Sequence, residues 1–248
     1  MLYLENKPHS SLCNFVKCYW FSDTQEAEGE YTILPDGYFD LIYRFVGENH
    51  QKTFLTGTWV NPIDVPYVKH TRHFGVRFKL IASEYIFQTP IQQIIDSSLE
   101  LPLDYWGTTN AVFNDFDNFK RHIENHIAVI IPTMPAIDPR KLKLFNILYS
   151  ADGNISVNEL SQKVGWSSRQ INRWFNSRYG LSLKTFANIL KCHAAYQSIA
   201  KGELKPVGNY HDQSHFIKVV KRFTGTTPKV LHENKNVRFL QLSTRGKE

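Results

Sequence analysis

Apolar and polar positions repeat with two different periods along this chain. Downstream of the turn residues Pro35-Asp36-Gly37, Phe39, Leu41, Tyr43 and Phe45 alternate with Tyr38, Asp40, Ile42 and Arg44. A period of two predicts a half-buried strand. Phe74, Val76, Phe78 and Leu80 alternate in the same way with His73, Gly75, Arg77 and Lys79, and shorter β-prone runs occupy 53–60 and 65–69. Several short strands at this spacing predict an antiparallel sandwich or small barrel.

After Ile81 the period lengthens. Phe113, Phe116, Phe119, Ile123, Ile127 and Ile130 recur every three or four residues, which lines one face of a helix of about five turns. That stripe either covers the sheet or pairs with its counterpart in a second subunit, making a homodimer through the 113–130 helix. Pro132, Pro135 and Pro139 then stop the helix and mark a linker over 132–139. Beyond it Leu142, Phe145 and Leu148 predict a basic amphipathic helix that ends at Asp152-Gly153-Asn154. Ser156-Val157-Asn158-Glu159 and Ser167-Ser168-Arg169-Gln170 are capping boxes, each able to satisfy the orphan N–H groups at a helix start.

Two short capped helices separated by a Gly-containing turn make a helix-turn-helix. With Ile171, Trp174 and Phe175 turned inward, the second helix presents Arg169, Gln170, Asn172, Arg173 and Asn176 outward, and Ser168 stands at its start as a further candidate contact. Arg bonds bidentately to guanine O6 and N7, and Asn or Gln to adenine N6 and N7, so this face suits the major groove. Composition sharpens that reading. The formal charge of +6 is an average: residues 1–138 hold 10 Lys+Arg against 17 Asp+Glu, net −7, and residues 139–248 hold 19 against 6, net +13. An acidic half joined to a basic half points to double-stranded DNA as partner of the second.

The 42% hydrophobic content marks a globular chain, and its longest apolar runs fall well short of the roughly 20 residues needed to span a bilayer. The N-terminus has no basic segment followed by an apolar one, so no membrane association and a cytoplasmic location are expected. Cys13, Cys18 and Cys192 form no Cys-x-x-Cys pair.

The run Leu160-Ser161-x-x-Val164-Gly165-Trp166-Ser167, followed by Arg173-x-Phe175 and Tyr179-Gly180-Leu181-Ser182, resembles the DNA-binding domain of AraC/XylS-type transcription regulators. A second block, Tyr210 to Phe216 with Lys221-Arg222-Phe223-Thr224-Gly225 and Pro228, is similar to that family's C-terminal signature. The resemblance covers roughly 140–231. Leu34-Pro35-Asp36-Gly37 and Gly75-Val76-Arg77-Phe78 also look like a sensory domain found on some of these regulators. It implies two helix-turn-helix units joined by a long helix, here 183–200, about 27 Å at 1.5 Å per residue. In the second unit Asp212 would cap a helix offering Gln213, Ser214, His215 and Lys218 to DNA and Lys221 and Arg222 to phosphates. The chain departs from the family between Gly202 and Tyr210, where Pro206 and Gly208 leave the second unit without most of its first helix.

The expected architecture is α+β: an N-terminal antiparallel β domain, barrel or sandwich and cupin-like, with helices over 1–131; the linker 132–139; an all-α domain with two helix-turn-helix units over 140–231; and a tail over 232–248. The expected function is sequence-specific transcription regulation, with the N-terminal domain sensing a signal or dimerising. Tyr31, Tyr38, Tyr43, Trp59 and Tyr67 are candidates to line a small-molecule effector pocket, and RNA polymerase is a candidate partner. Two rivals stand beside it: a metal-dependent cupin-like enzyme with a basic accessory domain, and an interaction module docking an acidic partner. The enzyme needs three converging ligands. His70 with His73, and His122 with His126 and Glu124, supply pairs without a third ligand at recognisable spacing, so no metal, cofactor or catalytic residue is expected.

Overall fold

A computed structural model describes residues 1–206, 210 and 212–234. His211 and most of the expected 232–248 tail lie outside the described residues. The strands are β1 (Leu2–Asn6), β2 (Val16–Asp23), β3 (Gly29–Ile33), β4 (Tyr38–Val46), β5 (Asn49–Thr56), β6 (Ile63–Tyr67), β7 (Thr71–Lys79) and β8 (Ser98–Leu101). The helices are α1 (Ile81–Tyr85), α2 (Phe116–Ile130), α3 (Pro139–Ser150), α4 (Val157–Val164), α5 (Ser168–Tyr179), α6 (Leu183–Ala200), α7 (Gln213–Thr224) and α8 (Pro228–Glu233). They gather into two compact units that are not contiguous in sequence. The first comprises 1–29, 38–57 and 67–142, and the second comprises 30–37, 58–66 and 143–248.

The first unit is built on an antiparallel sheet in the order β1-β2-β7-β4-β5-β8. Its register puts Phe39 opposite Phe78, Leu41 opposite Val76 and Tyr43 opposite Phe74. These side chains share one face, and α2 covers it with Phe119, Ile123 and Ile127, none of them exposed. Phe119 packs against both Tyr43 and Phe74. The middle of the α2 stripe is therefore turned to the sheet, with Phe116 and Ile130 half-buried at its ends. The helix starts at Phe116, not Phe113, because the Asp115 carboxylate caps it by accepting from Asn118 N at 2.7 Å. Phe113 belongs to the preceding short turn and still enters the core.

β4 is not half-buried as its alternation suggests. Its other face is buried too, around Cys18, Trp20 and Ile42, with Tyr3 and Phe54 packed against them. Polar groups enter this layer in pairs. Trp20 Nε1 donates to Asp40 Oδ1 at 2.9 Å, Arg77 Nε donates to the same oxygen at 3.1 Å, and Ser22 Oγ shares a hydrogen bond with His73 Nδ1 at 3.2 Å. Pairing of this kind is what lets charged groups stay buried. Gly75 lies under the Trp20 ring, where an added Cβ would sit 2.1 Å from Trp20 Cε2.

The 132–139 stretch runs through a short turn, Ile131–Thr133, into α3. It is tied down: Asp138 N donates to the Tyr85 hydroxyl at 3.2 Å, and Lys141 pairs with Glu84. In the second unit Phe145 of α3 sits among Phe175, Tyr179 and Phe186. Leu148, Leu160, Val164 and Ile171 complete this core. Gly153 is required where the α3–α4 turn meets α6: its φ is +68° and a Cβ would lie 2.1 Å from Ala187 O. The remaining segments of this unit, 30–37 and 58–66, come from within the expected 1–131 domain and carry most of the β3–β6 pair.

Two outcomes follow. Gly75→Ala should lower stability by about 1–3 kcal/mol, the usual cost of forcing extra volume into a packed layer, read as a fall in the thermal midpoint. Burial, aided by Arg44, lowers the His73 pKa from 6.5 to about 4. His73 then favours the folded state fully above pH 6.5, and that contribution disappears as pH falls from 6.5 towards 4. Denaturant melts of wild type and His73→Gln across that window should show a smaller pH slope in the variant.

Candidate nucleic-acid interface

The interface is assembled by helix ends. Ser156 Oγ accepts from Glu159 N at 3.2 Å and Glu159 Oε2 accepts from Ser156 N at 3.0 Å, closing the start of α4. Those bonds also hold the Glu159 carboxyl below its ordinary pKa, so it stays ionised at the positive end of the helix. Gly165, left-handed at φ +75°, ends α4, and its N–H returns to Ser161 O. Ser167 opens α5 by accepting from Gln170 N at 3.2 Å, while Gln170 Oε1 accepts from Ser167 N at 2.9 Å. The turn between the helices is thus three residues, Gly165 to Ser167. It is pinned by Ser161 Oγ donating to Trp166 O at 2.6 Å and by Trp166 packing on Trp174.

With Ile171, Phe175 and Tyr179 buried, the opposite face of α5 presents Arg169, Asn172, Arg173 and Asn176, all exposed. These positions are spaced three and four apart and form one stripe. Neither Arg169 nor Arg173 makes an ion pair with a described residue, so both guanidinium groups are available to an external acceptor. The other predicted contacts are partly engaged already. Gln170 uses its carbonyl in the cap and retains an amide donor. Asn172 Nδ2 donates to Ser168 O at 2.9 Å, and Ser168 Oγ reaches Asn158 Oδ1 at 3.2 Å, tying α5 to α4.

In α7 the Asp212 carboxylate accepts from His215 N at 2.7 Å, as a cap should. Phe216, Val219, Val220 and Phe223 are buried, and Gln213, Ser214, His215, Lys218, Lys221 and Arg222 are exposed. Gln213 is drawn back, its Nε2 donating to Leu204 O at 2.8 Å, and His215 packs against Tyr210. Arg222 lies over the Phe223 ring. No described residue between α6 and α7 is helical.

A basic cleft escaped the sequence reading. Lys184, Asn188 and Lys191, spaced four and three along α6, line a cleft of about 250 Å³ whose other wall includes Ser156 and Val157 at the start of α4. Burial holds the Lys191 pKa below its ordinary value. Their spacing was the available signal, but α6 is buried on so many sides that no single polar stripe stands out.

The five candidate effector residues are divided between the two units. Tyr31 and Trp59 belong to the second unit, and Tyr38, Tyr43 and Tyr67 to the first. Tyr43 is wholly buried beneath α2 and donates its hydroxyl to Tyr105 O at 3.0 Å. The histidines are separately occupied: exposed His70 pairs with Glu26, His73 bonds Ser22, His122 Nε2 meets Trp106 O, and His126 stacks on Trp106. Among the described residues no three metal-ligating side chains gather, and all three cysteines are free.

A capped helix pair with a basic exposed face on its second helix defines a DNA-binding transcription regulator. Residues 160–234 match a family model described as a helix-turn-helix domain, and residues 4–100 match that of a domain of unknown function, DUF6597. The chain carries an AraC-type helix-turn-helix domain. Among solved structures it is similar to ToxT from Vibrio cholerae O395, at 10% identity and a TM-score of 0.48 over 99% of each chain. Another ToxT structure from Vibrio cholerae gives 10% and 0.47 over 94% of this chain and 98% of that one. Unsaturated fatty acid bound wild-type ToxT from Vibrio cholerae strain SCE256 gives 10% and 0.43 over 93% and 94%. No curated protein matches the sequence. No helix of the described residues is long and apolar enough to cross a membrane.

The caps can be tested apart from binding. Ser156→Ala and Ser167→Ala should each cost about 1 kcal/mol of stability, measured by denaturant unfolding, and adding Gln170→Ala to Ser167→Ala should cost less than the sum of the two single changes, because one capping box joins them.

Proposed function

We propose that α5 reads bases in the major groove through Arg169 and Arg173, with Asn172, Asn176, Ser168 and the Gln170 amide beside them, while α7 chiefly grips the DNA backbone. The observation that carries this reading is the exposed pair of arginines, one turn apart and without an ion pair to any described residue, on a helix whose start is fixed by a capping box. On α7, Ser214, Lys218, Lys221 and Arg222 fall along one exposed side, a pattern suited to phosphates. Gln213 and His215 are held by neighbours, which favours a positioning share over direct base reading.

The first unit is the sensory part in this reading, responding to a small-molecule effector. Its histidines are taken up singly by Ser22, Glu26, Trp106 O and ring stacking, which favours a sensor over the metal-dependent enzyme. The first unit holds 12 Lys+Arg against 14 Asp+Glu, net −2, and the second 17 against 9, net +8, so DNA is drawn to the second.

A gel-shift titration tests the assignment of roles on a duplex selected from a random library by the wild-type protein. Arg169→Ala and Arg173→Ala should each cost about 1–3 kcal/mol on the selected duplex and much less on random duplex. Lys221→Ala and Arg222→Ala should weaken both duplexes alike and flatten the salt dependence, by close to one unit of slope for each phosphate that is no longer neutralised. Intact specificity in the arginine variants, together with its loss in Gln213→Ala, would reverse the ranking.

A further inference from the structure

Leu34-Pro35-Asp36-Gly37 reads in sequence as a turn, yet it is among the most buried segments of the helical unit. Leu34 has no exposed surface, and Asp36 is buried with it. Tyr196 of α6 donates its hydroxyl to Pro35 O at 2.9 Å, and Tyr149 of α3 donates to Gly37 O at 2.9 Å. Burial keeps the Tyr196 phenol far above its ordinary pKa, so it remains a donor. Gly37 has φ +81°, and a Cβ there would lie 2.6 Å from Leu190 Cδ2. Donors from two different helices thus converge on two carbonyls of one short segment.

The second segment reaches another part of the same unit. Thr58 and Trp59 are buried, and Pro62 lies against Gly225, the left-handed residue that ends α7, 3.7 Å from where its Cβ would be. The two segments are joined to each other by the β3–β6 pairing and by Thr32 Oγ1 donating to Asp64 Oδ1 at 2.5 Å. One small β element therefore touches α3 and α6 at one end and the α7–α8 turn at the other. Between α6 and α7 no described residue is helical.

We infer that the β3–β6 element is a brace that sets where α7 stands relative to α5 on DNA, which makes Tyr149, Tyr196 and Gly37 positioning residues for DNA binding. This rests on the assignment of base reading to α5 and backbone gripping to α7. The backbone passes from the sheet unit into the brace and back at Gly29, Gly37, Gly57 and Pro66, so this element, beside the chain's passage through α3, is a covalent route by which the sheet unit would act on DNA affinity.

The test uses the full-length protein, Tyr149→Phe/Tyr196→Phe, and two duplexes. One is the duplex selected by wild type, and the other is the same duplex trimmed to the block read by α5. Each deleted hydrogen bond weakens the brace by a factor of about five. The double variant should therefore lose about 10- to 30-fold in affinity for the long duplex while binding the trimmed one within about two-fold of wild type. Equal loss on both would mean general damage to the fold and would overturn the brace, as would unchanged binding or tighter binding to the long duplex. Gly37→Ala should reproduce the split; the tyrosine pair, which deletes only two oxygen atoms, decides the matter if that variant does not fold. A wild-type protein that prefers no sequence would instead overturn the DNA reading on which the brace depends.

Discussion

Every α-helix leaves its first four N–H and last four C=O groups without partners inside the helix, and this constraint weighs most on the shortest helices. α4 has eight residues and α5 twelve, joined by a three-residue turn. Their ends are closed by Ser156 with Glu159, Gly165, Ser167 with Gln170, and left-handed Gly180. Because the caps fix where each helix begins and ends, they also fix which residues of α5 face outward. The reading face is a consequence of satisfied backbone groups and of the Phe145, Phe175 and Tyr179 core on which the helices rest.

The two units use their polar residues in opposite ways. The sheet unit buries Asp40, Arg77, Ser22 and His73 in mutual pairs, so little of their charge is offered to a partner. The helical unit leaves Arg169, Arg173, Lys218 and Lys221 in solvent. The net charges of −2 for the sheet unit and +8 for the helical unit are the large-scale sign of this division.

What was legible in the sequence was local. The capping boxes, the Gly165 turn, the Asp212 cap and the periods of β4, β7 and α2 all rest on neighbours within about four residues; they appear where the pattern puts them, except that α2 begins three residues later than its stripe, at the Asp115 cap. The buried second face of β4 was hidden because Asp40 looks like a solvent position until Arg77 and Trp20 arrive from other strands. Gln170 was ambiguous for a related reason: one amide serves both as a cap and as a base contact. The place of Leu34 to Gly37 among α3 and α6 could not be read at all, since its partners Tyr149 and Tyr196 lie more than a hundred residues away. Strand periodicity likewise assigns Tyr43 a face but does not show that α2 covers it.

Selection of bound sequences from a random duplex library by the full-length protein tests the division of labour between α5 and α7 most directly. Base reading by α5 with backbone contact by α7 predicts one strongly specified block containing guanines, flanked about one helical turn away by a weakly specified one. Two blocks of equal information content, or enrichment of no sequence, would contradict it.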